Sequence, residues 1–132
     1  MIGRFLFNLH ARNRHGIHSP FIYGFLDRSL YHPENREGSP NERLLRAART
    51  HFGPDLLLWD PAEIPFGESL SGPGGPRNDT VVYAGGIRRG GNRRAWSEAC
   101  AHPGVRVILE TYDAGLLFFR REQAPQHFKI RI

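Results

Sequence analysis

The sequence predicts an α/β protein, and three observations lead to that fold class. Residues 56–60 and 80–84 are apolar or β-branched runs of strand length. Helical patterns of apolar residues precede the first run and follow the second. Residues 105–132 then divide into short apolar runs separated by turns, which is typical of strands. We therefore expect a shortened sheet with N-terminal helices and an antiparallel C-terminal end.

Residues 1–53 are predicted to form the N-terminal helices. Apolar residues recur at helical spacing in three sets, which are Ile2, Phe5, Leu6 and Leu9; Phe21, Ile22, Phe25, Leu26 and Leu30; and Leu44, Leu45, Ala48 and Phe52. The first set could lie on a membrane surface, but its single apolar stripe favours a helix docked on the domain. The last helix has the clearest ends, since Ser39 and Glu42 form a capping box and Gly53 with Pro54 stops it.

The strand at residues 56–60 is a continuous apolar run, which predicts cover on both of its faces. A helix, a Gly-Pro pair and a buried strand are how a Rossmann-like sheet begins. Residues 61–79, however, contain four prolines and four glycines, so we expect a flexible connection without a helix. Its 19 residues are enough for parallel pairing of the strands at 56–60 and 80–84.

Residues 80–132 are predicted to be a C-terminal β-α-β-β-β unit, within a single domain that spans residues 1–132. Its helix should run from Arg93 to Ala101, with Asn92 as the N-cap. Its later strands are expected at 105–112, 116–121 and 127–132. Apolar and basic residues alternate over the last five positions, as in an edge strand with one buried face.

Composition narrows the class of protein. One cysteine, Cys100, excludes an internal disulfide and fits a reducing compartment, so we expect a cytoplasmic protein. No apolar run approaches the roughly 18 residues of a membrane span. The net charge is +5, but 17 of the 18 basic residues are arginine, which indicates genome composition bias. Only Arg88, Arg89, Arg93 and Arg94 cluster, without interleaved aromatics, so the sequence argues against nucleic-acid binding.

His15, His18 and Ser19 belong to the most distinctive local stretch. Ser19 followed by Pro20 is a good N-cap and first-turn pair. Two histidines without a third ligand nearby do not make a zinc site. We interpret the stretch as a capped turn whose histidines hydrogen-bond to the backbone. Neither a catalytic group of residues nor a metal site is predicted.

Two segments carry longer patterns that preserve their order along the chain. The first is a basic helix, then Arg14-His15-Gly16-Ile17-His18-Ser19-Pro20-Phe21, then a second helix. The second comprises Ala95-Trp96, Ala101-His102-Pro103-Gly104-Val105, Gly115-Leu116-Leu117-Phe118-Phe119-Arg120-Arg121-Glu122-Gln123-Ala124 and Gln126-His127-Phe128-Lys129-Ile130-Arg131. Together these segments resemble a family of class I S-adenosylmethionine-dependent methyltransferases common in Bacteroidetes-type bacteria. Residues 43–60 resemble the helix and first strand ahead of the family's cofactor loop.

The departures from that family concern its cofactor site. The resemblance implies an acidic residue and a glycine-rich turn after the first strand, which hold S-adenosylmethionine. Here the matching region offers only Asp60, Glu63 and Gly67 as a remnant loop, with prolines where glycines would let the backbone approach a ligand. The family's paired aspartates after a later strand are replaced by residues 84–86, Ala-Gly-Gly.

We therefore expect a shortened, methyltransferase-like protein that has lost cofactor binding and catalysis. One alternative is a residual methyltransferase that still uses S-adenosylmethionine and acts with a partner chain. Another is a basic module that binds nucleic acid or protein. Because the family's outer strands are missing, the strand from Leu56 to Asp60 should become a sheet edge. An apolar edge of this kind predicts a homo-oligomer or a protein partner there.

Overall fold

The computed structural model describes residues 19–72 and 74–132 and has a mixed α/β fold, as predicted. Its elements are α1 (Pro20–Phe25), which continues as a π-helical turn (Leu26–Leu30), α2 (Pro40–Phe52), a 3-10 turn (Gly53–Asp55), β1 (Leu56–Leu58), α3 (Phe66–Ser69), β2 (Val81–Gly85), α4 (Asn92–Cys100), β3 (Val107–Glu110), β4 (Ala114–Phe118) and β5 (Gln126–Lys129). Among these helices, none has both the length and the apolar character that a bilayer crossing needs.

Local sequence fixes both ends of α2. The Ser39 hydroxyl accepts the Glu42 N–H at 3.2 Å, and the Glu42 carboxylate accepts the Ser39 N–H at 3.2 Å, which confirms the predicted capping box. Hydrogen bonding to the Ser39 backbone N–H, and secondarily to the Ser39 side chain, holds the pKa of the Glu42 carboxyl below its usual value. Gly53 ends the helix with a φ of 54°, a conformation that favours glycine.

The five strands form one open mixed sheet in the order β1-β2-β4-β3-β5. β1 pairs directly with β2 in parallel, with Leu56 opposite Val81, which confirms the predicted pairing. β4 lies antiparallel to both β2 and β3. The prediction of an antiparallel C-terminal end is thus correct for β3 and β4.

For β5 that prediction is wrong, because β5 runs parallel to β3, with Leu109 opposite Phe128. Both sides of β4 are already paired, so the chain leaving β4 must pass β3 before it finds a free edge. The Gln126 N–H donates to the Arg106 carbonyl at 3.0 Å and starts this pairing. Side chains of β5 alternate as an edge strand requires, with Phe128 buried and its neighbours His127 and Lys129 exposed.

Helices cover both faces of the sheet. On the first face, α1, α2 and alternate strand residues form one buried cluster that contains Phe25, Leu44, Val81, Leu116 and Phe118. The second face is covered by α3 and α4, in a cluster that contains Trp59, Phe66, Val82, Trp96 and Leu117. The period of two along β2 and β4 divides their apolar side chains between the two clusters.

The connection over residues 61–79 differs from the predicted helix-free linker. It contains the short helix α3, from which Phe66 and Leu70 are buried against the second face of the sheet. The Phe66 ring lies edge-on to Trp59, with 4.9 Å between centroids. The prediction failed because turn residues dominate the composition of the segment, whereas two apolar side chains decide where it packs.

The prediction that both faces of β1 are covered by other parts of the protein is also wrong. Leu57 is 41% exposed and Leu58 is 56% exposed, because no described strand lies beyond β1. Leu56 alone in the strand is half-buried and packs against the first cluster. The structure therefore confirms the prediction that this strand lies at an edge of the sheet. Its continuous apolar run belongs to an open edge and not to a strand covered on both faces.

Trp96 of α4 packs closely onto the centre of the sheet. A Cβ added to Gly115 in β4 would overlap with Trp96 Cη2 and lie 2.6 Å from Cζ2. Glycine at this position therefore lets the indole approach the strand backbone. Trp96 is only 7% exposed, so the contact is part of the buried second cluster.

We predict that Gly115→Ala destabilises the protein by about 1–3 kcal/mol, because the added methyl group overpacks the site. Gly67→Ala is the matched control, since a Cβ there meets nothing within 4 Å and the residue lies in α3. Urea unfolding followed by circular dichroism measures both changes. Equal stability of the two variants would contradict this account of the Trp96 contact.

Candidate functional site

A cleft of about 730 Å³ opens at the carboxyl ends of β1 and β2. The strand ends contribute Leu58, Asp60, Tyr83 and Gly85, and the loop before α4 closes the other side. In open α/β sheets, ligands bind beyond the carboxyl ends of parallel strands. We call this the β1–β2 cleft, and its position makes it the first candidate functional site.

Trp59 fixes the floor of the β1–β2 cleft. Its backbone N–H donates to the Tyr83 carbonyl at 2.9 Å, which continues the β1–β2 ladder by one residue. Its indole Nε1–H donates to the Ile64 carbonyl at 2.9 Å and holds the following turn. Because the backbone N–H and the indole N–H of Trp59 are both hydrogen-bonded, its large aromatic side chain can be 97% buried here.

Polar groups in the β1–β2 cleft are bound to the protein itself. Asp60 Oδ1 accepts the Ala62 N–H at 3.0 Å, so the carboxylate stabilises its own turn. The Tyr83 hydroxyl donates to the Asn41 carbonyl at 3.3 Å. Burial, and secondarily the charge of Asp113, raise the pKa of Tyr83, which keeps the phenol protonated. The cleft thus offers hydrogen-bonding groups and no paired acid and base among its described lining residues.

The loop from Gly86 to Asn92 forms the second wall of this cleft. Gly86 has a φ of 68°, and Asn92 Nδ2 donates to its carbonyl at 3.0 Å, which closes the loop. Asn92 is the first residue of α4, and its side chain ties the loop to the helix. Gly91 occupies the N-cap position and makes no side-chain bond there. The prediction of Asn92 as the N-cap is wrong by one residue, because Asn92 is itself the first helical residue and its side-chain amide is bonded to the loop.

The three residues predicted as a remnant of a cofactor loop do not come together in the structure. Asp60 lines the β1–β2 cleft, whereas Glu63 and Gly67 are exposed and do not line it. Gly67 lies within α3 at a negative φ, so no backbone requirement for glycine exists there. Pro65 holds the N-cap position of α3.

Ser19 lies apart from the cleft, at the start of α1. Its hydroxyl accepts the Ile22 N–H at 3.4 Å, as the predicted N-cap should, and donates to Gln123 Oε1 at 3.4 Å. His15 and His18 are outside the described residues. Within residues 19–72 and 74–132, no three His, Cys, Asp or Glu side chains are grouped so as to hold a metal ion.

The four clustered arginines have separate roles. Arg88 Nε donates to the Tyr112 carbonyl, and its guanidinium lies 4.6 Å from the centre of the Tyr112 ring. Arg89 pairs with Asp113 at 3.4 Å, and Arg94 pairs with Glu98 at 3.2 Å. The Arg93 side chain makes no hydrogen bond, ring contact or ion pair with the described residues. The other three positive charges of the cluster are each partly compensated by the groups named above.

Sequence reasoning missed the loop wall of the β1–β2 cleft. A signal was present, because Gly-Gly follows the strand at residue 85 and a second Gly-Gly precedes α4. With parallel pairing predicted for β1 and β2, their carboxyl ends had to meet at the same edge. Nothing in the sequence indicated that Tyr83 of β2 would line the cleft while its hydroxyl is bonded to the Asn41 carbonyl of α2.

Comparisons with protein-family models, with curated proteins and with solved structures gave no match.

We predict that Ser19→Ala lowers the free energy of unfolding by about 1 kcal/mol, since α1 loses its N-cap. Ser97→Ala on the exposed side of α4 is the control, because no cap depends on it. Thermal melting with and without added zinc measures both the cap and any metal effect. A wild-type melting temperature that rises with zinc and falls on chelation would show that the histidines bind metal.

Proposed function

We propose that this chain is a non-catalytic, methyltransferase-like domain that works by association through the open edge of β1. In this proposal, the sheet is a shortened Rossmann-like sheet that has lost S-adenosylmethionine binding. The observation that carries it is the exposure of Leu57 (41%) and Leu58 (56%) on a strand that has a described neighbour on one side only. An unprotected apolar edge is a site for pairing with another chain.

Backbone geometry at the edge favours a second copy of this chain as the partner. Trp59 N–H points toward β2, so by alternation the backbone groups of Leu56 and Leu58 point outward. The Leu56 N–H is already bonded to the Gly53 carbonyl. This leaves the Leu58 N–H as a donor and the Leu56 carbonyl as an acceptor.

These two groups are complementary across a two-fold axis. If two β1 strands meet antiparallel with Leu57 opposite Leu57 of the partner, each Leu58 N–H faces the partner's Leu56 carbonyl. The exposed leucine side chains then shield one another from water. Because the strand has only three residues, we expect a weak dimer that forms at micromolar concentrations.

Loss of cofactor binding is supported by the β1–β2 cleft. Asp60 is the one carboxylate among its described lining residues, and it is bound to the Ala62 N–H. Prolines at 61 and 65 hold the turn after β1, so its backbone is not free to approach a nucleotide. Adenosine, ribose and methionine would each need a recognition group, and this wall does not provide them.

The second candidate is a residual methyltransferase completed by a partner chain. The observation that favours it is the place of Leu58, which belongs to the open edge and also lines the β1–β2 cleft. A chain docked on the edge would therefore extend the wall of the cleft. In this alternative, S-adenosylmethionine would bind only to the associated protein.

We predict that S-adenosylmethionine binds with a dissociation constant above about 100 μM, so that the free energy of binding is smaller in magnitude than roughly 5.5 kcal/mol. Calorimetric titration should be run below and above the concentration at which the protein associates. Asp60→Asn is the matched variant, and its heat should equal that of the wild type. Tighter binding that Asp60→Asn weakens, and that appears only in the associated state, would support the residual enzyme.

We predict that Leu57→Lys abolishes self-association, because a charge on an edge strand opposes pairing. Light scattering on the wild type at about 100 μM should give twice the 15.0 kDa chain mass, as a micromolar dimer requires. Tyr23→Lys is the control, since Tyr23 is 37% exposed but lies on α1. A wild-type monomer with one sharp melting transition would remove the basis for the association.

A further inference from the structure

A second cleft, of about 300 Å³, lies at the opposite edge of the sheet from β1. It opens between α4 and the strands β3 and β5. Its charged or titratable lining residues are Arg88, Arg93, Cys100, Glu110, His127 and Lys129. We call it the α4–β5 cleft, and neither the sequence patterns nor the proposed function accounts for it.

Strand register brings the polar side chains of this cleft together. In the parallel β3–β5 pair, Lys129 lies opposite Glu110, and His127 lies opposite Ile108. Side chains two residues apart share a face, so all four project toward α4. Phe128 projects to the other face, where it is buried in the first cluster. The polar group is therefore a consequence of the edge position of β5.

Glu110 and His127 form a fixed pair. Glu110 is only 6% exposed, and its carboxylate Oε1 is hydrogen-bonded to His127 Nε2. A buried carboxylate is costly without such a partner, so the pair holds the imidazole ring in one orientation. No hydrogen bond of His127 Nδ1 to a described residue is present, which leaves that nitrogen free to contact a ligand.

Arg93 and Lys129 face the same space from opposite walls. Neither makes an ion pair with any residue in the described ranges, whereas Arg94, next to Arg93 on α4, is paired with Glu98 at 3.2 Å. Arg88 also lines the cleft, while its Nε donates to the Tyr112 carbonyl. Three cationic side chains thus line a space in which Glu110, the one carboxylate among the described lining residues, is bonded to His127.

Cys100 lines the cleft without altering this charge balance. Burial, and then the nearby Glu110 carboxylate, raise the pKa of the Cys100 thiol to about 12. The thiol is therefore neutral and is neither a thiolate nucleophile nor a metal-binding thiolate at neutral pH. The cationic side chains of the lining, and not the thiol, therefore decide that the cleft is suited to an anion.

We propose that the α4–β5 cleft binds a small molecule through a phosphate group. A guanidinium presents several donors in a fork and an ammonium adds a point charge; the imidazole, whose Nε2–H faces Glu110, adds a further donor only when Nδ1 also carries a hydrogen. A tetrahedral oxyanion can satisfy donors that come from different walls at once, whereas a planar carboxylate has only two oxygens. A volume of about 300 Å³ matches the lower end of ligand pockets.

The test is calorimetric titration of the whole chain with inorganic phosphate and with phenyl phosphate in a phosphate-free buffer. We expect Arg93→Gln and Lys129→Gln each to weaken phosphate binding about 10-fold, as loss of a charge-assisted hydrogen bond implies. His127→Gln should weaken binding several-fold while it keeps a donor for Glu110. Arg94→Gln is the matched control on the same helix and should leave the affinity within about 2-fold.

Three results would overturn the proposal. One is the absence of phosphate binding by the wild type. Another is equal loss in Arg93→Gln and Arg94→Gln, or equal affinity for acetate, because either would indicate general attraction to a basic surface. The third is tight binding of a DNA oligonucleotide that all the arginine variants weaken alike, which would assign the surface to nucleic acid. The outcome does not depend on the β1 edge, because that edge lies on the other side of the sheet.

Discussion

The burial of β4 is the constraint on which the rest of the structure depends. All five of its residues are buried, and the strand is hydrogen-bonded to β2 on one side and β3 on the other. Phe118 packs under α1 and α2, and Leu117 packs under α4. Because apolar side chains project from both faces of this strand, each face needs helical cover, and Gly115 must stay small to admit Trp96.

The two edges of the sheet differ chemically, which bears on the kind of assembly the protein can form. β1 presents exposed leucines, whereas β5 presents His127 and Lys129 beside the side on which no described strand pairs with it. Charged side chains on an edge discourage strand addition. Pairing through β1 alone would use the same surface in both copies and would close after two chains. A sheet with two apolar edges would instead grow without limit.

Local signals in the sequence predicted much of the fold. The capping box at Ser39 and the glycine at residue 53 fixed α2, and parallel pairing of β1 with β2 followed from the length of the connection. Long-range choices were not predictable, because nothing local tells β5 to bypass β4 and pair with β3. The candidate sites follow the same division. Asp60 could be picked out as a candidate because it directly follows an apolar run of strand length. The pairing of Glu110 with His127 depends on the register of two strands, which no local pattern encodes.

The sheet order also has a consequence for the folding pathway. β3 and β4 are joined by the short turn at residues 111–113 and pair as a hairpin, which forms within microseconds in small peptides. β1 can pair with β2 only after the loop over residues 61–79 has closed, at a larger entropic cost. The β3–β4 hairpin therefore closes the shortest loop in the sheet, and we expect it to form before β1 pairs with β2. During synthesis β2 also emerges before its partner β4, so its apolar face is unprotected until the C-terminal third has left the ribosome.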